Sequence, residues 1–143
     1  MDIKESRAYV LDSFALLAFF QEESGKSKVE TLCQDALTQN IILYLSLINV
    51  GEIFYTAYRK QGQKRAEEII RDLRQLPIIL CTATEDRIFA AALEKAKYSF
   101  SYADAFVVSL AKEYGATIVT GDPEFEAIEQ EVGVLWLPRK ISS

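Results

Sequence analysis

The sequence contains no histidine. That absence excludes Ser-His-Asp and Cys-His catalysis, and any zinc site built on imidazole. Only two cysteines are present, Cys33 and Cys81. Two thiolates cannot make a four-thiolate zinc site. Their setting among apolar residues in separate predicted elements favours reduced, structural side chains over a disulfide. Long hydrophobic runs are also missing. Apolar runs such as residues 9–11 and 41–45 fall far short of the roughly 20 residues that span a bilayer. No apolar stretch of signal-peptide type follows the first residues, Met-Asp-Ile-Lys-Glu-Ser-Arg, so a cytoplasmic location without membrane association is expected. Proline and glycine are scarce, at 3 and 6 residues, while 50% of the chain is hydrophobic. This composition excludes a disordered chain. Positive charge is in deficit, with 16 Lys and Arg against 21 Asp and Glu and a net charge of −5. That argues against a general polyanion binder, unless several carboxylates converge on bound cations. With imidazole and thiolate sets excluded, such cations are expected to be hard and oxygen-ligated, Mg²⁺ or Mn²⁺.

What is present reads as one domain. The 143 residues suit a single compact unit, with its core over about 8–137 and a short tail at 138–143. Apolar runs predict strands over 8–12, 41–45, 78–81, 117–120 and 134–137. Between them, helical spacing predicts helices over 13–20, 26–38, 46–60, 63–75, 84–97 and 102–114, and a short one over 123–131. Gly62 marks the turn of a helix hairpin, and Gly115 stands just past a helix end, where glycine is favoured. Strands alternating with helices predict a three-layer α/β/α sandwich around a parallel sheet. Continuous apolar strands fit burial on both faces.

Four acids fall at informative places. Asp12 ends the first strand and Asp122 follows the fourth. In open α/β sheets, sites form outside the carboxyl ends of strands. Glu52 lies two turns into the helix after the second strand, three residues beyond Asn49 and six beyond Ser46, so the three share a face. Asp104 stands three residues after Ser101 at the start of a strongly apolar helix, in the spacing of a capping box. Taken singly, each acid has an ordinary structural explanation as a cap, a turn former or a solvated side chain. Together they would repel one another strongly unless divalent metal relieved the repulsion.

At this point a resemblance enters. Val10-Leu11-Asp12-Ser13, Asn49-Val50-Gly51-Glu52, Tyr102-Ala103-Asp104-Ala105 and Ile118-Val119-Thr120-Gly121-Asp122-Pro123-Glu124-Phe125 resemble, in order and spacing, the motifs of the PIN-domain family. More narrowly, they resemble those of VapC-like toxins from prokaryotic toxin–antitoxin pairs. The likeness runs from about Tyr9 to Leu137. It implies a parallel five-stranded sheet of order 3-2-1-4-5. It also implies a metal-dependent endoribonuclease in which Asp12, Glu52, Asp104 and Asp122 surround one or two Mg²⁺ or Mn²⁺ ions. Ser13 and Thr120 are similar to the hydroxyl residues that orient these acids or contact phosphate, and Asn49 to a support for Glu52. A homodimer and a small antitoxin protein are the implied partners.

Basic residues must meet an RNA substrate, and Arg59, Lys60, Lys64 and Arg65 cluster at the predicted hairpin turn, with Lys26 and Lys28 elsewhere. Two other α/β phosphoryl-transfer classes fit less well. Asp12-Ser13-Phe14 lacks the Asp-x-Asp of haloacid-dehalogenase-like phosphatases, and the third strand ends without the aspartate of a receiver domain. A non-catalytic RNA-binding or scaffold protein of PIN type, or a nuclease acting on DNA, remains open at the level of sequence.

Overall fold

A computed structural model describes residues 7–138. Residues 139–143, most of the predicted tail, lie outside the described part. The elements run β1 (Ala8–Leu11), α1 (Ser13–Phe20), α2 (Lys26–Leu37), β2 (Ile42–Ser46), α3 (Leu47–Gln61), α4 (Gln63–Leu73), β3 (Ile79–Cys81), α5 (Glu85–Lys97), α6 (Tyr102–Tyr114), β4 (Thr117–Thr120), a 3₁₀ helix (Pro123–Ile128) and β5 (Val134–Trp136). All pairings in the sheet are parallel and the order is β3-β2-β1-β4-β5, as expected.

Alternation along the strands divides the core into two layers. Leu11, Leu43, Leu45 and Val119 face α1, α2, α3 and α4, where they meet Leu16, Leu32, Ile53 and Ile69. Val10, Ile118 and Cys81 face the other way, onto α5, α6 and the 3₁₀ helix, where Phe106, Leu110 and Phe125 cover them. Parallel connections are right-handed. The chain moves outward from β1 to β3 with α1 to α4 on one face. It then reverses direction to reach β4, and the same hand puts α5 and α6 on the opposite face. This reversal makes β1 and β4 neighbours, with Leu11 paired to Val119, and opens a crevice beyond their carboxyl ends.

Local chemistry fixes the helix starts at that edge. Asp12, Ser46, Thr84 and Ser101 are extended residues whose side chains accept from the first-turn amides of α1, α3, α5 and α6. Gly115 ends α6 at φ 60°, a left-handed position that favours glycine. Cys33 and Cys81 are free, buried and in different layers of the core. The last predicted helix is shorter and tighter than expected, since a 3₁₀ segment over Pro123–Ile128 replaces a helix over 123–131. Among the described residues, no helix is long and apolar enough to cross a membrane.

Candidate metal centre

The crevice beyond β1 and β4 is a pocket of about 310 Å³. All four expected acids line it, Asp12, Glu52, Asp104 and Asp122, together with a fifth, Glu124. Ser13, Phe14, Leu17, Thr56 and Ser101 complete it, and no lysine or arginine is among its lining residues.

Asp12 lies just past β1 rather than within it, and its two oxygens are both engaged. Oδ1 accepts from the Ala15 amide at 2.9 Å, and Oδ2 accepts from the Thr120 hydroxyl. Thr120, itself fully buried, also accepts from the Asp122 amide at 2.9 Å. One hydroxyl therefore ties the ends of β1 and β4 to each other and sets the turn that carries Asp122. That turn continues as Asp122 caps the 3₁₀ helix by accepting from the Glu124 amide at 2.9 Å. Phe14 packs over Gly121 so closely that a Cβ there would stand 2.4 Å from its Cε1. The glycine is required by this approach, not by its backbone angles.

On the other wall, Ser13 is a hub. Its hydroxyl donates to Glu52 Oε1 at 2.6 Å and accepts from Asn49 Nδ2 at 3.1 Å. The expected shared face of Asn49 and Glu52 is thus realised, and both meet Ser13. Ser46 departs from that row, because its hydroxyl turns back to accept from the Ile48 amide at 3.0 Å. Asp104 occupies the third helical position that the capping-box spacing predicts. Ser101 accepts from its amide at 3.1 Å, but among the described residues its carboxylate makes no hydrogen bond. It stands free toward the other acids.

The electrostatics express this crowding. Burial pushes the Asp12 carboxyl up to about 7, against the lowering effect of Thr120 and Ala15, with Asp122 and Glu52 adding to the rise. Burial pushes Asp104 up to about 8, and the charges of Asp12, Asp122, Glu52 and Glu124 all add to it. Such a site holds carboxylates that cannot all ionise comfortably alone. The carboxylate oxygens of Asp104, Asp122 and Glu124 lie within 4.8 Å of one another, so these three can converge on one ion. An oxygen-only donor set fits a hard divalent cation such as Mg²⁺ or Mn²⁺.

Glu124 is the site residue that sequence reasoning missed. It stands inside the quoted Gly121–Phe125 segment, two residues past Asp122, yet reads as one more exposed acid. Only the tight 3₁₀ turn started by Pro123 brings its carboxylate back beside Asp122.

None of the four expected RNA-contacting cations reaches the pocket. Thr56 lines it, and Arg59 and Lys60 follow one turn further along α3. Arg59 lies over the Tyr55 ring at 5.0 Å, while Lys60 and Lys64 are exposed. Arg65 is held in place, donating to the Phe20 carbonyl at 3.0 Å and pairing with Glu68 at 3.6 Å. Lys26 pairs with Glu22 at 3.9 Å, beside the Phe19 ring.

Sheet order and pocket together define a three-layer α/β/α protein with an oxygen-only acidic centre at the switch between β1 and β4. The chain belongs to the PIN-domain family, whose model matches residues 9–131. Among solved structures, it is similar to VapBC2 from Rickettsia felis bound to a DNA fragment from their promoter, at 14% identity over 92% of this chain and 99% of that one, with a TM-score of 0.71. VapC20 of Mycobacterium tuberculosis, a sarcin–ricin loop cleaving toxin, matches at 15% identity over 83% and 93%, with a TM-score of 0.62. FitAcB from Neisseria gonorrhoeae matches at 20% identity over 88% and 95%, with a TM-score of 0.58. At these identities the likeness is one of fold. No curated protein matches the chain by sequence.

Proposed function

We propose that this chain is a Mg²⁺- or Mn²⁺-dependent endoribonuclease and the toxin of a toxin–antitoxin pair, acting in the cytoplasm. The observation that carries this reading is the convergence of Asp12, Glu52, Asp104, Asp122 and Glu124 on one pocket of a PIN fold, with no cationic side chain lining it. Carboxylates alone repel a phosphodiester, so the pocket serves such a substrate only through cations.

In this reading Asp12, Asp104 and Asp122 hold the metal, joined by Glu124, with Glu52 completing the acidic shell. Bound there, a divalent cation supplies Lewis acidity at the scissile phosphate and acidifies a water molecule for attack. The protein's share is positioning. Thr120 fixes Asp12 and the Asp122 turn, and Ser13, steadied by Asn49, fixes Glu52. With no histidine in the chain, the site has no imidazole to act as general base. Arg59, Lys60 and Lys64, one turn and more beyond Thr56, contact phosphates flanking the cleaved bond. Arg65 acts mainly as a tether between α4 and α1.

The partners proposed from the resemblance are a second copy of the chain and an antitoxin. Exposed Ile48, Tyr55, Phe89 and Leu93 provide apolar surface for such contacts. An antitoxin arginine offered to the acids would neutralise the pocket directly.

The test is to sequence the RNA ends produced when total cellular RNA meets the protein with Mn²⁺ or Mg²⁺, beside Asp104→Asn. Discrete, metal-dependent 5′-phosphate ends made by the wild type alone are expected. Identical end profiles from the two proteins would sink the assignment of Asp104, and absence of metal-dependent ends would turn the reading toward DNA or a binding role.

A further inference from the structure

Three hydroxyls line the acidic pocket, those of Ser13, Thr56 and Ser101. Ser13 gives its proton to Glu52, and Ser101 caps α6 by accepting from the Asp104 amide. Thr56 is different. It lies inside α3, where a threonine hydroxyl can donate to the carbonyl four residues back. Thr31 does this in α2, donating to the Ser27 carbonyl at 3.1 Å. The Thr56 hydroxyl makes no such bond, and none to any other group among the described residues. Nor is it sealed from water. Outside the exposed residues, the unpartnered side-chain atoms that water does not reach are Asn49 Oδ1 and Glu94 Oε1 alone among the described residues. The hydroxyl of half-buried Thr56 is therefore open to solvent.

Glu52 stands one turn earlier on the same face of α3. Side chains four residues apart on a helix are neighbours, with Cβ atoms about 5–6 Å apart. Ser13 occupies Glu52 Oε1, while Oε2 has no partner among the described residues and is likewise open to solvent. Glu52 is also outside the group of Asp104, Asp122 and Glu124 whose oxygens converge. One wall of the pocket thus offers a free donor and a free acceptor side by side.

What fits such a pair is a neutral group that accepts and donates at once. A phosphate oxygen only accepts, and beside Glu52 it meets a like charge. A hydroxyl does both. Along a nucleic acid strand that group is the ribose 2′-hydroxyl, which DNA lacks. We propose that Thr56 donates to the 2′-hydroxyl beside the scissile phosphate, that this hydroxyl donates to Glu52 Oε2, and that the pair selects RNA over DNA. The proposal rests on the nuclease reading above and names Thr56 as the residue that reads the sugar.

The experiment is a nuclear magnetic resonance titration of the full-length protein in Ca²⁺, a hard diamagnetic cation. The probes are decamers of oligouridylate and oligodeoxyuridylate. Saturable, Ca²⁺-dependent shifts are expected in amides of α3 around Glu52 and Thr56. The ribose strand should bind about tenfold more tightly, the worth of one charge-assisted hydrogen bond. Thr56→Val keeps the shape and removes the hydroxyl. It should cut the preference several-fold, chiefly by weakening the ribose strand, while Thr56→Ser should keep it. Lys60→Ala should weaken both strands alike, since a phosphate contact reads no sugar. Equal affinity for the two strands, or a preference that survives Thr56→Val intact, would overturn the proposal and leave the metal reading standing. So would a ribose strand that gives no saturable shift at α3. Binding of both strands that ignores Ca²⁺ would sink the metal reading, and the proposal with it.

Discussion

The Ser13 hydroxyl donates to Glu52 at 2.6 Å while accepting from Asn49 Nδ2 at 3.1 Å. A serine has one proton to give, and the Asn49 carbonyl, at 3.3 Å, is the poorer acceptor. The proton therefore goes to Glu52, and the Asn49 amide holds the hydroxyl in that orientation. Glu52 is fixed as an acceptor on the pocket wall.

Ser13→Ala removes this hold without adding bulk. The expected outcome is a loss of about 10- to 100-fold in metal-dependent turnover, the usual worth of a group that orients a metal-site carboxylate. The fold should survive, because the helix cap belongs to Asp12. Single-turnover kinetics across a Mn²⁺ series read the effect, and turnover equal to wild type at every metal concentration would show that Glu52 does not need the serine.

Gly121→Ala tests the close approach that shapes the Asp122 turn. Its Cβ would fall 2.4 Å from Phe14 Cε1, so the ring must move or the turn must open. Overpacking of this kind costs about 1–3 kcal/mol. Thermal unfolding should show the loss, and Phe14→Leu should recover part of it in the double variant. Strictly additive effects of the two substitutions would mean that they do not meet.

Much of this arrangement is legible in the residues themselves. The apolar runs at Tyr9–Leu11 and Ile118–Thr120 mark strands buried on both faces through their lack of polar alternation, their place side by side in the sheet comes from the family resemblance alone, and Ser46, Ser101 and Gly115 mark helix ends through their capping chemistry. Asp12 and Asp122 can be found because each follows a strand, Asp104 because it lies in the first turn of a helix, and Glu52 because it shares a helix face with Asn49 after the second strand. What cannot be read is how side chains turn once they are there. Ser46 turns to its own helix amide, Arg65 reaches 45 residues back to the Phe20 carbonyl, and Glu124 is drawn in by a 3₁₀ turn in place of an α-helical one. Such choices follow from tertiary contacts that a local pattern does not contain.

Stability should depend on pH with a definite sign. The Asp12 and Asp104 carboxyls rise from 3.8 to about 7 and about 8 on folding. Between these values the folded chain keeps protons that the unfolded chain releases, so metal-free stability falls as pH rises from about 4 to about 8 and levels off above. The stabilising protonation is complete below the unfolded value and lost as pH climbs through the folded ones. Melting scans in a chelator should therefore show Tm declining from pH 5 to pH 8. Mn²⁺ should restore more at pH 8, where the carboxylates are ionised, than at pH 5. A metal-induced shift that does not grow with pH would contradict the assignment of these carboxylates to the cation.

Asp104→Asn separates function from stability. The carboxylate makes no hydrogen bond among the described residues, and it stands against the charges of Asp12, Asp122, Glu52 and Glu124. Replacing it with an amide of the same shape removes the repulsion and sacrifices no native bond. In chelator at pH 8 the variant should melt a few degrees higher than wild type, while losing both the Mn²⁺-induced shift and cleavage. Residues kept at a cost to the metal-free fold are the mark of a binding site. A variant that melts lower in chelator would make Asp104 a structural cap, and its loss of activity would then say nothing about metal. A variant more stable without metal and blind to it when added is the result that a ligand role requires.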